Sequence, residues 1–179
     1  MRLPPLLATA AFVVLGPVAA QAADADWAAV ATALGKSGAE MPGGVYRVGM
    51  PRTDLQVTLE GVQIKPTLAL GSWLAFRRMG ADAMVMGDLV LTETEVGPVM
   101  KKLAEGGLEI TALHNHLLRA QPATLYMHVL GHGDPVKLAT ALHDGLALSK
   151  TPLGNPAAAS AQPEQIDLDT AMIDSTLGA

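Results

Sequence analysis

Residues 84–95, MVMGDLVLTETE, decide how this chain can fold, because a strand pattern and a helix start follow each other directly. The apolar run Met84–Leu91 is typical of a buried strand. Thr92 and Glu95 then have the spacing of a capping box, in which each side chain accepts a hydrogen bond from the other residue's backbone N–H. We therefore predict a strand and, immediately after it, a helix that continues to about Ala104.

The segments on both sides of this stretch extend the same pattern. Leu108–Leu118 and Thr124–Gly131 indicate two antiparallel strands, and the loop between them contains Pro122. Earlier strands are predicted at Val45–Met50, Gln56–Ile64 and Ser72–Arg77, and helices at Asp26–Leu34 and Val136–Leu148, the latter capped by Asp134. Strands joined by hairpins rather than crossovers favour an α+β fold: a mostly antiparallel sheet of about five or six strands with helices on one face.

The first residues have the features of a cleavable secretory signal. Arg2 supplies the positive end, Leu6–Leu15 is apolar, and Ala20-Gln21-Ala22 is a small-residue cleavage site. A membrane anchor needs about 20 unbroken apolar residues, and prolines interrupt this run. We expect a signal peptide over 1–22, cleavage near Ala22, a periplasmic or secreted location without membrane insertion, and one α+β domain over 23–150.

The C-terminal part changes in composition. Residues 151–165 are rich in Pro, Ala, Ser and Gln, which is typical of a linker. Residues 166–179 then predict a helical tail, and Asp167–Gly178 repeats the pattern of Asp24–Gly35 at a constant offset. Two hypotheses follow: the start of a second copy of the domain, or a generic amphipathic tail.

The net charge and the cysteine content exclude several classes of binding partner and modification. The formal net charge is −5 and no basic run occurs, so neither nucleic acid nor anionic lipid surfaces are expected partners. The sequence has no cysteine, which excludes disulfides and a lipidated cysteine. An unknown small ligand or a metal is the expected partner, and a homo-oligomer is left open.

Histidines are concentrated on the predicted hairpin. Four of the five lie between positions 114 and 132. Because side chains alternate along a strand, His114 and His116 share a face with Ile110 and Ala112. A loop centred near Gln121 places His114 opposite His128 and His116 opposite Tyr126, so the three histidines can converge on one ion.

Imidazole groups suit Zn, Cu, Ni or Fe, and we predict a metal, Zn or Cu, held by His114, His116 and His128. Asp88, a charge within an apolar strand, is predicted as a fourth ligand, as a partner of a ligand, or as a general base. Glu95 is a second candidate base. His132 joins only if the turn after it curls back, and His143 is predicted on the surface.

Arg52 and the pair Arg77-Arg78 stand near strand ends, where they could hold an anionic ligand, although such arginines are more often surface charges. The nine methionines are assigned mainly to core filling. No nucleophile elbow, phosphate-binding loop, zincin helix or dinucleotide fingerprint occurs in the sequence.

Three function classes remain open. The first is a metal-binding domain, and the second is a metal-dependent hydrolase that acts on an extracytoplasmic substrate. The third is a metal-free module whose hydrogen-bonded histidines recognise a small ligand or a partner.

Several blocks of the sequence resemble the LppY/LpqO family of bacterial exported proteins: GGVYRVGMPRTDLQV, LALGSWLAF, MVMGDLVLTETEVGPVMKKL, ITALHNHLL and YMHVLGHGD. The resemblance covers about Trp27 to Leu153. It implies export and an uncharacterised domain that longer members carry twice. The chain departs from the lipoproteins of that family because it has no cysteine to lipidate.

Overall fold

The computed structural model describes residues 27–154 and 170–178, and these residues confirm the predicted α+β class. The expected signal peptide and most of the expected linker lie outside them. The helices are α1 (Trp27–Leu34), α2 (Pro66–Ala69), α3 (Glu93–Glu105), α4 (Pro135–Leu146) and α5 (Thr170–Leu177). The strands are β1 (Ala39–Met41), β2 (Val45–Pro51), β3 (Val57–Leu59), β4 (Val62–Ile64), β5 (Gly71–Met79), β6 (Asp82–Thr92), β7 (Glu109–His114), β8 (Ala120–Gln121) and β9 (Thr124–Gly133).

Six strands form the main sheet in the order β1-β2-β5-β6-β9-β7, and all neighbours are antiparallel. A small second sheet has the order β4-β3-β8. Within the two described ranges, no helix is both long and apolar enough to cross a membrane.

The main core lies between the sheet and three helices. Alternate side chains of the strands point to α1, α3 and α4, whose apolar stripes close this layer. Trp27 of α1 stacks on Tyr46 of β2, with ring centroids 5.2 Å apart. The prediction of helices on one face is therefore confirmed for α1, α3 and α4, whereas the four-residue helix α2 lies on the other face.

The opposite side of the main sheet we call the open face; it carries, among others, the side chains of Arg47, Trp73, Met86, Asp88 and His128. The short helix α2 and the small sheet cover only one end of it. There a second apolar cluster forms from Val57, Ile64, Leu70, Val90, Ala120 and Tyr126. The rest of the open face is not covered by these elements, so its polar groups are accessible to solvent and to a ligand.

Two sequence-based strand predictions were wrong in detail. Gln56–Ile64 is a hairpin rather than one strand. The chain reverses between β3 and β4 because Glu60 and Gly61 adopt positive φ angles of 51° and 85°, a backbone conformation typical of tight hairpin turns. The strand predicted over Leu108–Leu118 ends at His114, because the following residues leave the main sheet and β8 pairs with β3.

Both helix caps follow the predictions. The capping box of α3 is present. The backbone N–H of Thr92 donates to Oε2 of Glu95 at 2.8 Å. At α4, the Asp134 carboxylate accepts hydrogen bonds from the backbone N–H groups of Val136 and Lys137 at 3.0 and 2.9 Å, as expected of an N-terminal cap.

The C-terminal residues divide into two described parts. Thr151 is buried and Leu153 packs against the main core, although both lie in the range predicted as a linker. Helix α5, within the segment predicted as a helical tail, is exposed along its length.

Arg52 is fully buried, which corrects the interpretation that it is a surface charge. Its guanidinium binds Asp54 with two hydrogen bonds of 2.8 Å and Glu95 with two of 2.9 and 3.1 Å. A fifth bond, of 2.6 Å, goes to the carbonyl oxygen of Val90. All five donors of the guanidinium are thus used, and they join the end of β2 to β6 and to the start of α3.

We predict that Arg52→Ala lowers the free energy of unfolding by about 3–5 kcal/mol, because it leaves the carboxylates of Asp54 and Glu95 without their cation in a partly buried site. Lys102→Ala is the control, since Lys102 and Asp144 form an exposed pair at 3.6 Å. Such exposed pairs contribute about 0–1 kcal/mol. Urea denaturation followed by circular dichroism measures both. Equal effects of the two variants would contradict the anchoring role of Arg52.

Candidate metal centre

Three adjacent strands of the main sheet bring the candidate residues together on the open face. Asp88 of β6 is directly opposite His128 of β9, and His114 ends the neighbouring strand β7. His116 follows two residues later, outside any strand. The site is therefore built on three hydrogen-bonded strands and one loop.

The predicted pairing register of the hairpin was wrong by two residues. His114 is opposite Tyr126, and the residue opposite His128 is Ala112. The cause is the position of the loop centre, which depends on the pairing of β8 with β3. A β-bulge between Ile110 and Ala112 also interrupts the alternation, so that Ile110 packs against the main core instead of sharing the histidines' face.

The histidines still meet, because the imidazole rings reach across the diagonal of the sheet. Nε2 of His114 is 3.1 Å from Nε2 of His128. Zn–N bonds of about 2.0–2.1 Å at a tetrahedral angle separate two ligand nitrogens by about 3.3 Å. The two nitrogens are thus already placed for a shared ion. In a metal-free protein the same contact is a hydrogen bond in which one ring donates and the other accepts.

His116 completes the group from the loop. Its ring stacks on Tyr126 at a centroid distance of 3.9 Å and on His114 at 4.6 Å. One nitrogen from each of the three histidines lies within 4.8 Å of the others, an arrangement that could hold a metal ion. His116 is exposed and lies outside any strand, and a shift of its ring by roughly 1–2 Å would bring its nitrogen to ligand spacing.

Tyr126 supports His116 from beneath. Its hydroxyl donates to the carbonyl oxygen of Ala69 at 2.6 Å, which holds the ring in place. Burial raises the pKa of Tyr126, and the nearby charge of Asp88 acts in the same direction. The sheet thereby provides a neutral, rigid platform for the exposed imidazole.

Asp88 adds a carboxylate on the other side of His128. Its Oδ2 is 3.7 Å from Nε2 of His128, the same nitrogen that faces His114. Its Oδ1 is buried and has no hydrogen-bond partner among the described residues. Burial raises the pKa of Asp88, and the charges of the three histidines offset this effect only in part. The carboxylate is therefore short of a positive or hydrogen-donating partner.

The other predicted candidates lie elsewhere. Glu95 belongs to the Arg52 network rather than to the histidine group. His132 is four residues beyond His128 on β9 and is opposite Met84, so it is too far along the strand to join the group. His143 was predicted on the surface, but it is half-buried and its Nδ1 donates to the carbonyl oxygen of Leu34 at 2.9 Å.

Sequence reasoning missed one neighbour of the site and misplaced several methionines. Trp73 of β5 is directly opposite Asp88 on the open face. Its alternation with the buried residues Leu74 and Phe76 was the signal that could have assigned it to this face. Met86, expected in the core, is 47 % exposed on the same face.

Glu95 is a poor general base in this arrangement. Burial alone raises its pKa, but hydrogen bonds from Arg52 and from the backbone N–H groups of Thr92 and Lys150 outweigh burial, as does the guanidinium charge. Together they lower the pKa of Glu95 from 4.5 to about 2. The carboxylate stays ionised and hydrogen-bonded near neutral pH, which suits a structural role.

Since the folded-state pKa of Glu95 is depressed, its ionised form stabilises the fold above pH 4.5, and this contribution is lost as the pH falls towards 2. The difference corresponds to roughly 3 kcal/mol. We predict that wild type exceeds Glu95→Gln in stability by about that amount at pH 7, and that the gap closes between pH 4.5 and 2 in chemical denaturation. Glu93→Gln, which leaves the Arg52 network intact, should follow wild type; a pH-independent gap for Glu95→Gln would contradict the assignment.

Comparisons with known proteins add one match. The family model described as Domain of Unknown Function (DUF1259) matches residues 28–148, a range that contains all nine described strands. Neither a search of curated proteins nor a search of solved structures found a match. Because the family model covers more than half of the sequence, the chain belongs to the family of the Domain of Unknown Function (DUF1259).

Proposed function

We propose that this chain is an exported metal-binding domain in which His114, His116 and His128 hold one transition-metal ion. The observation that carries the proposal is the convergence of three imidazole nitrogens within 4.8 Å of one another on one face of a rigid sheet. Three protein ligands with a further position open are typical of exchangeable or catalytic metal sites rather than closed structural ones.

Asp88 acts as the fourth ligand or as a close carboxylate neighbour of the ion. Its Oδ2 lies 3.7 Å from Nε2 of His128, which is close to the spacing of two ligands on one ion. A cation between them would also supply the positive partner that the buried carboxylate lacks. Imidazole and carboxylate ligands together suit Zn or Cu(II).

Export is part of the proposal and rests on the N-terminal sequence. The positive residue Arg2, the apolar run and the small-residue motif before Ala22 support cleavage there and a periplasmic or secreted location. The sequence blocks named above support a relationship to the LppY/LpqO proteins. The repeated pattern of Asp167–Gly178 supports the start of a second copy.

A metal-dependent hydrolase is a narrower version of the same proposal. It requires a base beside a metal-bound water, and Asp88 is the candidate because its carboxylate lies beside His128 and its Oδ1 has no hydrogen-bond partner among the described residues. Glu95 no longer supports this version, since its oxygens are occupied by Arg52 and by backbone donors.

We predict that the full chain, purified without a histidine tag or chelators, binds about one Zn or Cu(II) ion in a calorimetric titration. His114→Ala and His128→Ala should abolish saturable binding because each removes a ligand of the ion. Asp88→Asn should weaken binding by roughly tenfold if Asp88 orients or completes the shell.

His132→Ala is the matched control, since it removes an exposed histidine from the same strand without touching the group. Circular dichroism verifies that each variant folds. Binding that survives in His114→Ala and His128→Ala, or the absence of binding in wild type, would reject the metal site. The latter result would instead favour the metal-free module, in which His114 and His128 form a hydrogen bond.

A further inference from the structure

A small pocket on the open face lies beside the candidate metal centre. Its volume is about 200 Å³, and Asp88 and His128 of the centre form one wall. The other lining residues include Trp73, Met86, Leu130 and Thr111. Ligand pockets for drug-sized molecules measure about 300–1,000 Å³, so this one suits a smaller molecule.

The walls of the pocket are suited to a flat apolar group. Trp73 offers an aromatic ring, and Met86 offers a polarisable thioether that contacts aromatic rings favourably. Leu130, directly opposite Met86 on β9, closes the same side. The guanidinium of Arg47 lies 5.8 Å from the centre of the Trp73 ring, and this cation–π contact stabilises the position of the ring.

The polar end of the pocket is the Asp88 carboxylate. Oδ1 of this residue is buried without a hydrogen bond among the described residues, so a donor that reaches the carboxylate relieves an existing deficit. Rotation about the terminal side-chain torsion of Asp exchanges the two oxygens and is soft, so either oxygen can turn to the pocket. The ligand should therefore carry a hydrogen-bond donor at one end.

We propose that this pocket binds a small hydroxy-aromatic compound of the phenol class. Its ring lies against Trp73, Met86 and Leu130, and its hydroxyl donates to Asp88. A sugar of similar size fits less well, since the apolar walls leave most of its hydroxyls unpaired. An aromatic cation is disfavoured because the charge of Arg47 already lies over the Trp73 ring.

The inference rests on the proposed function in one respect: the hydroxyl end of the ligand faces the side of the pocket where His128 would hold the ion. The compound would thus be the substrate or co-ligand of that metal. Binding to the pocket itself needs only the residues of the open face, which allows the two proposals to be tested separately.

The test uses the two tryptophans of the chain as probes. In ¹⁵N-labelled full-length protein, the indole N–H signal of Trp73 reports on the pocket, and that of Trp27, buried in the main core, is the internal reference. Trp73→Phe assigns the two signals. The probes are 4-methylphenol and toluene, which share a ring and a methyl group and differ in the hydroxyl.

We expect 4-methylphenol to shift the Trp73 signal saturably and the Trp27 signal little. Toluene should bind at least about tenfold more weakly, since it cannot donate to the carboxylate. Asp88→Ala should remove most of the preference for 4-methylphenol over toluene, and Met86→Ala should weaken the binding of both compounds. Met79→Ala changes an exposed methionine of β5 that does not line the pocket, and this variant should behave as wild type.

Equal responses to the two compounds, or no shift of Trp73 by 4-methylphenol, would overturn the inference. A Trp73 signal that changes with protein concentration alone would also overturn it, because a second copy of the chain would then cover the face. Zinc titration of the same samples separates the proposals: 4-methylphenol binding without zinc binding rejects only the metal centre, and zinc binding without 4-methylphenol binding rejects only the pocket.

Discussion

The antiparallel pairing of β6 with β9 is the constraint on which the rest of the structure depends. It runs from Ala83 and Gly133 to Thr92 and Thr124 without interruption, and it sets Asp88 opposite His128. Because side chains alternate, the same pairing directs Leu89 and Val129 to the helices. A slip of one residue would exchange the core and the open face, so burial of the core side also determines which polar groups meet on the other side.

The carboxylates of Glu95 and Asp88 lie in opposite electrostatic environments within the same fold. Both carboxylate oxygens of Glu95 accept hydrogen bonds, and the pKa of Glu95 is lowered to about 2 because Arg52 and two backbone donors favour its ionised form. Asp88 has an oxygen without a partner among the described residues, and its pKa is raised mainly by burial. The first arrangement anchors three parts of the chain to one another. The second leaves a carboxylate oxygen without a hydrogen bond among the described residues, beside three histidines and a pocket. This pattern is expected of a ligand-binding site.

Local pattern predicted much of the architecture. The capping box at Thr92, the cap at Asp134 and the strand over Met84–Leu91 each follow from a few neighbouring residues, and each prediction was correct. The burial of Arg52 was not predictable in this way, because its partners Glu95 and Val90 are distant in sequence. The hairpin within Gln56–Ile64 was missed because Glu60 adopts a backbone conformation that is uncommon for a residue with a side chain.

By itself, the sequence determined the fold class and the concentration of histidines on one hairpin, since both follow from periodicity and spacing. Only the tertiary structure decided which imidazole faces which. The histidines pair two residues away from the predicted register where β8 pairs with β3, and the bulge near Thr111 shifts the register by one further residue towards Ile110; both features depend on contacts with other strands. The positions of Trp73 and Met86 beside Asp88 likewise require the pairing of three strands, which no single segment of sequence contains.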